Sequence, residues 1–286
     1  MKLTNIGTIK EIFNKHEFAF SKSLGQNFLI NPNICPKIAD MGNAREGFGV
    51  IEIGTGIGVL TAELCKRADK VVAIEIDDRL MPILDETLGE FSNLKIINAD
   101  VLKINLKKII EDEFPNMPVA VCANLPYYIT SPIIMLLLEN RLPITSITVM
   151  VQKEAATRLC AVPATRDVGA VSIAVRYFSE PNLLFNVSRG SFMPAPNVDS
   201  AVIHLDINKK TPENVLDEEF FFKFVRASFS QRRKTVVNSV SSVLKAEKST
   251  VISALKSANI PPNARAEQLS MEDFITASGE LWKILS

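Results

Sequence analysis

From residue 50 to residue 205 short β-branched and aliphatic runs alternate with segments of helical periodicity. Apolar runs of that length suit strands buried on both faces, and the helical segments between them suit crossovers that return the chain to the same sheet edge. The pattern predicts strands at 50–53, 71–74, 95–97, 119–123, 147–151, 183–187 and 200–205, with a buried helix at 129–138. After Asp206 the texture changes: residues 208–217 are polar and include Pro212, and the remainder reads as helices at 217–229, 232–245, 249–257 and 271–285, with Pro261-Pro262 forcing a break before the last. The expected fold is therefore α/β, a Rossmann-like parallel sheet over residues 1–208, followed by a small all-helical domain over 209–286.

Composition narrows the function. With 47% hydrophobic and 22% charged residues, the 286-residue chain lies in the globular range, and disorder is excluded as its main state. Cys35, Cys65, Cys122 and Cys160 form no C-x-x-C pair and have only His16 and His204 to assist them, so no metal is expected and the thiols read as small core hydrophobes in a reducing compartment. The first twenty residues lack a secretory apolar run, and the apolar stretch at 129–138 carries Thr130, Ser131 and Pro132 and falls short of the roughly 20 residues of a membrane span. A cytoplasmic protein without membrane contact is expected. Since 32 basic residues balance 32 acidic ones, a site for a polyanion must be local.

The first chemical signal is Val50-Ile-Glu-Ile-Gly-Thr-Gly-Ile-Gly58, a strand that runs into three alternating glycines and then a helix. Glycine lets a backbone turn sharply and approach a ligand closely. A nicotinamide fingerprint, G-x-G-x-x-G, would need its third glycine at position 59, which is Val59. The G-x-G-x-G spacing favours a ligand without a pyrophosphate. Glu75 ends the second strand and Asp100 follows the third. In a doubly wound sheet such strand-end acids line the carboxyl edge, where a carboxylate accepts hydrogen bonds from ribose hydroxyls.

Asn124-Leu-Pro-Tyr127 follows the fourth strand. The lone pair of an exocyclic base amine is delocalised into its ring, so a site that alkylates it should engage both N–H bonds with acceptors and hold the ring against an aromatic face. Asn124 offers a side-chain carbonyl, Leu125 or Pro126 a backbone carbonyl, and Tyr127 a stacking face.

In these motifs and their order the chain resembles the family of ribosomal RNA adenine N6-dimethyltransferases, in particular its bacterial small-subunit (16S) branch. The matching segments are Lys22-Ser-Leu-Gly-Gln-Asn-Phe-Leu29, the glycine turn, Ala73-Ile-Glu-Ile-Asp77, Asn98-Ala-Asp100, Asn124-Leu-Pro-Tyr127, Val151-Gln-Lys-Glu154, Phe192-Met-Pro-Ala-Pro-Asn-Val-Asp-Ser200 and Ser230-Gln-Arg-Arg-Lys-Thr235. The resemblance implies S-adenosyl-L-methionine as cofactor, held by Asn27 and Leu29 near its methionine end, Gly54 and Gly56 beneath it, Glu75 on the ribose, Asp100 on the adenine and Asn124 beside the methyl. It further implies that Tyr127 and Phe192 sandwich the target adenine, and that two adjacent adenosines in the 3′-terminal hairpin loop of small-subunit rRNA are dimethylated during subunit biogenesis. Three positions depart from the family pattern: Thr55 replaces a usual proline, Tyr128 an asparagine common in one branch, and Pro163-Ala-Thr-Arg-Asp-Val168 lacks an expected glycine and tyrosine.

From residue 226 to residue 245 the chain carries Arg226, Arg232, Arg233, Lys234 and Lys245 and no acid. Such local asymmetry suits phosphate contacts, and Arg226, Arg232, Arg233 and Lys234 are the expected RNA-binding residues, although the arginine pair could instead pin the helical domain in place. The expected partner is small-subunit rRNA in an immature ribosomal subunit, met by a monomer. Competing readings are a large-subunit (23S) methylase of the macrolide-resistance type, disfavoured by the neutral charge and the Gln231-Arg-Arg-Lys-Thr235 match, and an assembly checkpoint factor with secondary catalysis.

Overall fold

The computed structural model describes residues 1–21, 24–207 and 212–286. Its strands are β1 (Phe28–Leu29), β2 (Gly49–Ile53), β3 (Lys70–Glu75), β4 (Leu94–Asn98), β5 (Val119–Asn124), β6 (Ser146–Gln152), β7 (Ser179–Val187), β8 (Phe192–Met193) and β9 (Ser200–Ile207). Seven of them form one sheet in the order β4-β3-β2-β5-β6-β9-β7, while β1 and β8 pair separately. All seven strands expected from the sequence are present, each lengthened at one or both ends.

The sheet is mixed. The pairs β4-β3, β3-β2, β2-β5 and β5-β6 are parallel, whereas β9 runs antiparallel to β6 with Ile147 opposite Leu205. All five residues of β2 are buried, as both faces of a central parallel strand must be. Because the chain leaves β2 toward β3 on one side and later returns to β5 on the other, a crevice opens beyond the carboxyl ends of β2, β3 and β5. A strap from Leu24 to Leu29 lines it. That strap is fixed at its start, where Gln26 Nε2 donates to Asp77 Oδ2 (2.7 Å) and Gln26 Oε1 accepts from the Ser21 amide (2.8 Å).

Two compact units emerge, Met1–Ala156 with Glu180–Ile207, and Thr157–Ser179 with Asn208–Ser286. The single boundary expected near residue 208 is thus one of three crossings. The second unit takes in the helix Ala170–Phe178, whose Tyr177 and Phe178 rings lie 5.0–5.5 Å from those of Phe221 and Phe222 on the helix Glu218–Phe229. This aromatic packing joins segments distant in sequence, which linear periodicity does not register. A second correction concerns the helix expected from residue 232: it begins at Val236, after Thr235, whose hydroxyl accepts from the Asn238 amide. A β-hydroxyl that can cap a helix outweighs the helical propensity of the residues before it, and Arg232, Arg233 and Lys234 therefore lie in the preceding turn.

Candidate active site

The crevice holds a cavity enclosing about 1090 Å³ counting its open mouth, room for a nucleoside-sized ligand and more. Asn27, Leu29, Gly54, Gly56, Glu75, Asp100, Asn124, Leu125, Pro126 and Tyr127 all line it. Phe192 does not.

The glycine turn follows β2. Gly54 and Gly56 have φ of +80° and +55°, a left-handed conformation that strains any side chain. At Gly54 a Cβ would meet nothing nearer than the Asn124 carbonyl oxygen at 3.8 Å, so the missing side chain is open space beside the cavity. At Gly56 a Cβ would stand 3.0 Å from the Phe28 ring.

Glu75 closes over this turn from the end of β3. It is buried; Oε2 accepts from the Thr55 hydroxyl (3.0 Å) and the Gly56 amide (3.2 Å), and Oε1 accepts from the Asp77 amide (3.0 Å). A carboxylate has about four lone-pair positions, so roughly one remains, on Oε1, for a ligand hydroxyl. Asp100, half-buried, accepts from the Leu102 amide (3.0 Å) and pairs with the exposed Lys103 at 3.3 Å.

At the end of β5 the Asn124 amide nitrogen makes a long contact, 3.5 Å, with the Asn27 carbonyl, while its Oδ1 has no partner among the described residues. The Pro126 carbonyl accepts from the Ile129 amide (3.2 Å) and the Thr130 hydroxyl (3.3 Å), whereas the Leu125 carbonyl accepts nothing from the described residues. Of the two backbone acceptors the sequence offers, Leu125 is the free one. Tyr127 is anchored by its hydroxyl to Ser200 Oγ at 2.7 Å; burial pushes its pKa up, the Ser200 bond opposes that, and Asp199 adds to it.

Phe192, expected to sandwich the target adenine with Tyr127, is not among the residues that line the cavity. Its ring is 3% exposed and sits in a hydrophobic cluster with Leu29, Ile38, Val187 and Val202, and its backbone pairs with Leu29 through the β1-β8 ladder. Packing thereby claims the ring and leaves it no free face for a base.

Sequence reading passed over Glu52, the lone acid in an otherwise apolar strand, which was the available signal. It is fully buried in the cavity wall, and neither carboxylate oxygen has a hydrogen-bond partner. Burial pushes its pKa up to about 8; the Thr61 hydroxyl pulls the other way without closing a hydrogen bond, and Glu75 adds to the rise. The ligand-free folded protein therefore keeps a proton that the unfolded chain gives up near 4.5. Stability should fall as pH rises from 4.5 to about 8 and level off above it, at up to about 1.4 kcal/mol per pH unit. In Glu52→Gln, always neutral, that decline should disappear. Urea midpoints measured across this range check it, and parallel pH profiles for the two proteins would refute it.

In the second unit Arg226, Arg232, Arg233 and Lys234 are exposed, and none has an ion-pair partner among the described residues. Arg232 and Lys234 line a cleft with Arg166, Gln231, Ser228 and one acid, Glu267; Arg226 and Arg233 lie outside it. The departing loop that carries Arg166 is fixed, since Arg176 donates to the Cys160 and Ala161 carbonyls (both 2.8 Å) and the Ala164 amide to the Leu269 carbonyl (3.0 Å). Among the described residues no cluster of three metal-ligating side chains occurs, and no helix is long and apolar enough to cross a membrane.

A Rossmann-like sheet whose glycine turn and strand-end acid face an Asn-Leu-Pro-Tyr corner defines an S-adenosyl-L-methionine-dependent methyltransferase, and the solved structures it resembles agree. One is a dimethyladenosine transferase from Plasmodium falciparum (27% identity, TM-score 0.74, covering 90% of this chain and 98% of that one); another is the 23S rRNA methyltransferase ErmE (27%, 0.67, 89% and 99%). Residues 17–283 match the family described as ribosomal RNA adenine dimethylase, and the chain belongs to it. Similar curated relatives include proteins named ribosomal RNA small subunit methyltransferase A from Geobacillus sp. (strain WCH70), 50% identical over 98% of this chain and 97% of that one, and from Clostridioides difficile (strain 630), 47% over 97% and 96%.

Proposed function

We propose that this chain transfers methyl groups to N6 of two adjacent adenosines in small-subunit rRNA, acting in the cytoplasm, as a metal-free monomer, on an immature subunit. The observation that carries the chemistry is the corner after β5, where the Asn124 Oδ1 and the Leu125 carbonyl oxygen are free acceptors beside the anchored Tyr127 ring. The small-subunit target is supported by the names of relatives that match nearly end to end. Fold alone does not decide it, since a 23S enzyme shares the architecture.

The site fits the cofactor: the absent Gly54 side chain leaves space along the turn, Glu75 retains an acceptor for a ribose hydroxyl, and Asp100 offers carboxylate oxygens to an adenine amine. Asn27 and Leu29 bound the far end from the strap. When bound, the cofactor supplies a sulfonium-activated methyl. Asn124 and Leu125 orient the target amine by accepting its N–H bonds, and Tyr127 holds the base flat. With the amine held by Asn124 and Leu125 and its ring by Tyr127, its surplus proton can pass to water, so positioning by these residues rather than a side-chain base would provide the acceleration.

Incubation with labelled cofactor and, separately, immature small subunits, large subunits and naked rRNA tests the reading. Label should map to adjacent adenosines of small-subunit rRNA; label confined to large subunits would overturn it. Glu75→Ala should weaken cofactor binding by about 1–3 kcal/mol in calorimetry, because it strands the amide and hydroxyl donors of the turn as well as the ribose. Replacing Arg232, Arg233 and Lys234 together by Ala should weaken particle binding and reduce the slope of log affinity against log salt by roughly 0.7–0.9 per lost phosphate contact. An unchanged slope with a collapsed melting point would instead mark the three as structural.

A further inference from the structure

Tyr128 has no part in the chemistry above. It follows Tyr127 in the short turn Tyr127–Ile129, lines the same cavity and is 57% exposed. A single exposed aromatic is ordinary on any surface, but this one is seated. A Cβ on Gly25 of the strap would stand 3.4 Å from Tyr128 Cδ1 and Cε1, so part of the ring rests over a glycine whose φ is +62°. Its hydroxyl, unlike that of Tyr127, has no partner among the described residues. The outcome is an aromatic surface backed by the strap at Gly25, more than half open, one residue from the proposed target-base wall.

Extruding a base from a single strand or loop removes a stacking partner from its neighbours, and an aromatic side chain beside the pocket replaces that partner. We propose that Tyr128 is a second stacking platform, which takes a base flanking the target once the target lies against Tyr127. This rests on the reading of the Asn124–Tyr127 corner. It makes residue 128 a determinant of substrate grip rather than of methyl transfer.

The test is single-turnover methylation by the full-length protein, using small subunits that lack the modification. A second pair of substrates carries an abasic nucleotide immediately 5′ or 3′ of the target. Tyr128→Ala should raise the particle concentration for half-maximal rate about 5- to 100-fold, with cofactor affinity and melting temperature unchanged, and Tyr128→Phe should restore the wild-type value. On one of the two abasic substrates the wild type should fall to the level of Tyr128→Ala, and the variant should lose nothing further, the signature of one shared interaction. Equal additional losses in both proteins on both substrates, or no loss on mutation, would overturn the platform. A loss appearing in cofactor affinity would also overturn it, by showing that the ring only holds the Gly25 strap. If Tyr127→Ala retains full activity in the same assay, the corner itself is misassigned and the platform falls with it; a harmless Tyr128→Ala beside a crippled Tyr127→Ala rejects the platform alone.

Discussion

Asn124→Ala should lower the methylation rate about 100- to 1,000-fold while cofactor affinity and melting temperature stay close to wild type. The magnitude is that of removing one preorganised polar contact from a reacting centre. The Asn124 side chain makes one long contact, to the Asn27 carbonyl at 3.5 Å, so little structure depends on it. Its free Oδ1 and the free Leu125 carbonyl are the two acceptors a base amine needs for the first methyl transfer, and one cannot replace the other there because the unmethylated amine carries two N–H bonds. Single-turnover rates together with calorimetric titration of the cofactor separate the effects. A loss confined to cofactor affinity would move Asn124 from the substrate to the ligand wall.

Phe192→Ala should behave in the opposite way. Truncating a buried phenylalanine costs about 3–5 kcal/mol, and this ring lies between strap and sheet among Leu29, Val187 and Val202. A markedly lower denaturation midpoint is expected, with near-normal turnover per folded molecule. Denaturant titration and single-turnover rates on one preparation decide the matter: an unchanged midpoint with lost turnover would return Phe192 to the base pocket. The contrast with Tyr127 is physical, because Tyr127 has a hydroxyl that anchors it at Ser200 and keeps it at a half-buried edge, while Phe192 has nothing to hold it out of the core.

What was legible in the sequence follows from which forces are local. Strands 50–53 and 119–123 showed because fully buried parallel strands are built almost wholly of apolar residues, Glu52 being the exception, and the glycine turn showed because glycine adopts its left-handed backbone without strain. The family resemblance then extended the reading from motifs to the class of enzyme, and the family match over residues 17–283 upholds it. Burial of individual rings was not legible: Phe192 and Tyr127 are both motif aromatics, and only tertiary packing separates them. Nor could the chain order disclose that residues 157–179 pack with the C-terminal helices, or that Glu52 would find no partner, since both depend on contacts between distant segments.

The place of β9 in the sheet bears on how the chain is made. Strand β6 pairs with β9 along its whole length, from Ser146 opposite Asp206 to Gln152 opposite Ser200. During synthesis β6 therefore emerges with one side unpaired, and its partner follows about fifty residues later. At roughly 5–20 residues per second that interval is about 3–10 seconds, in which a strand with six buried residues out of seven offers a bare edge to any other extended chain. Before that wait ends the helix Ala170–Phe178 has also emerged, so the nascent protein begins its second unit before it can close its first.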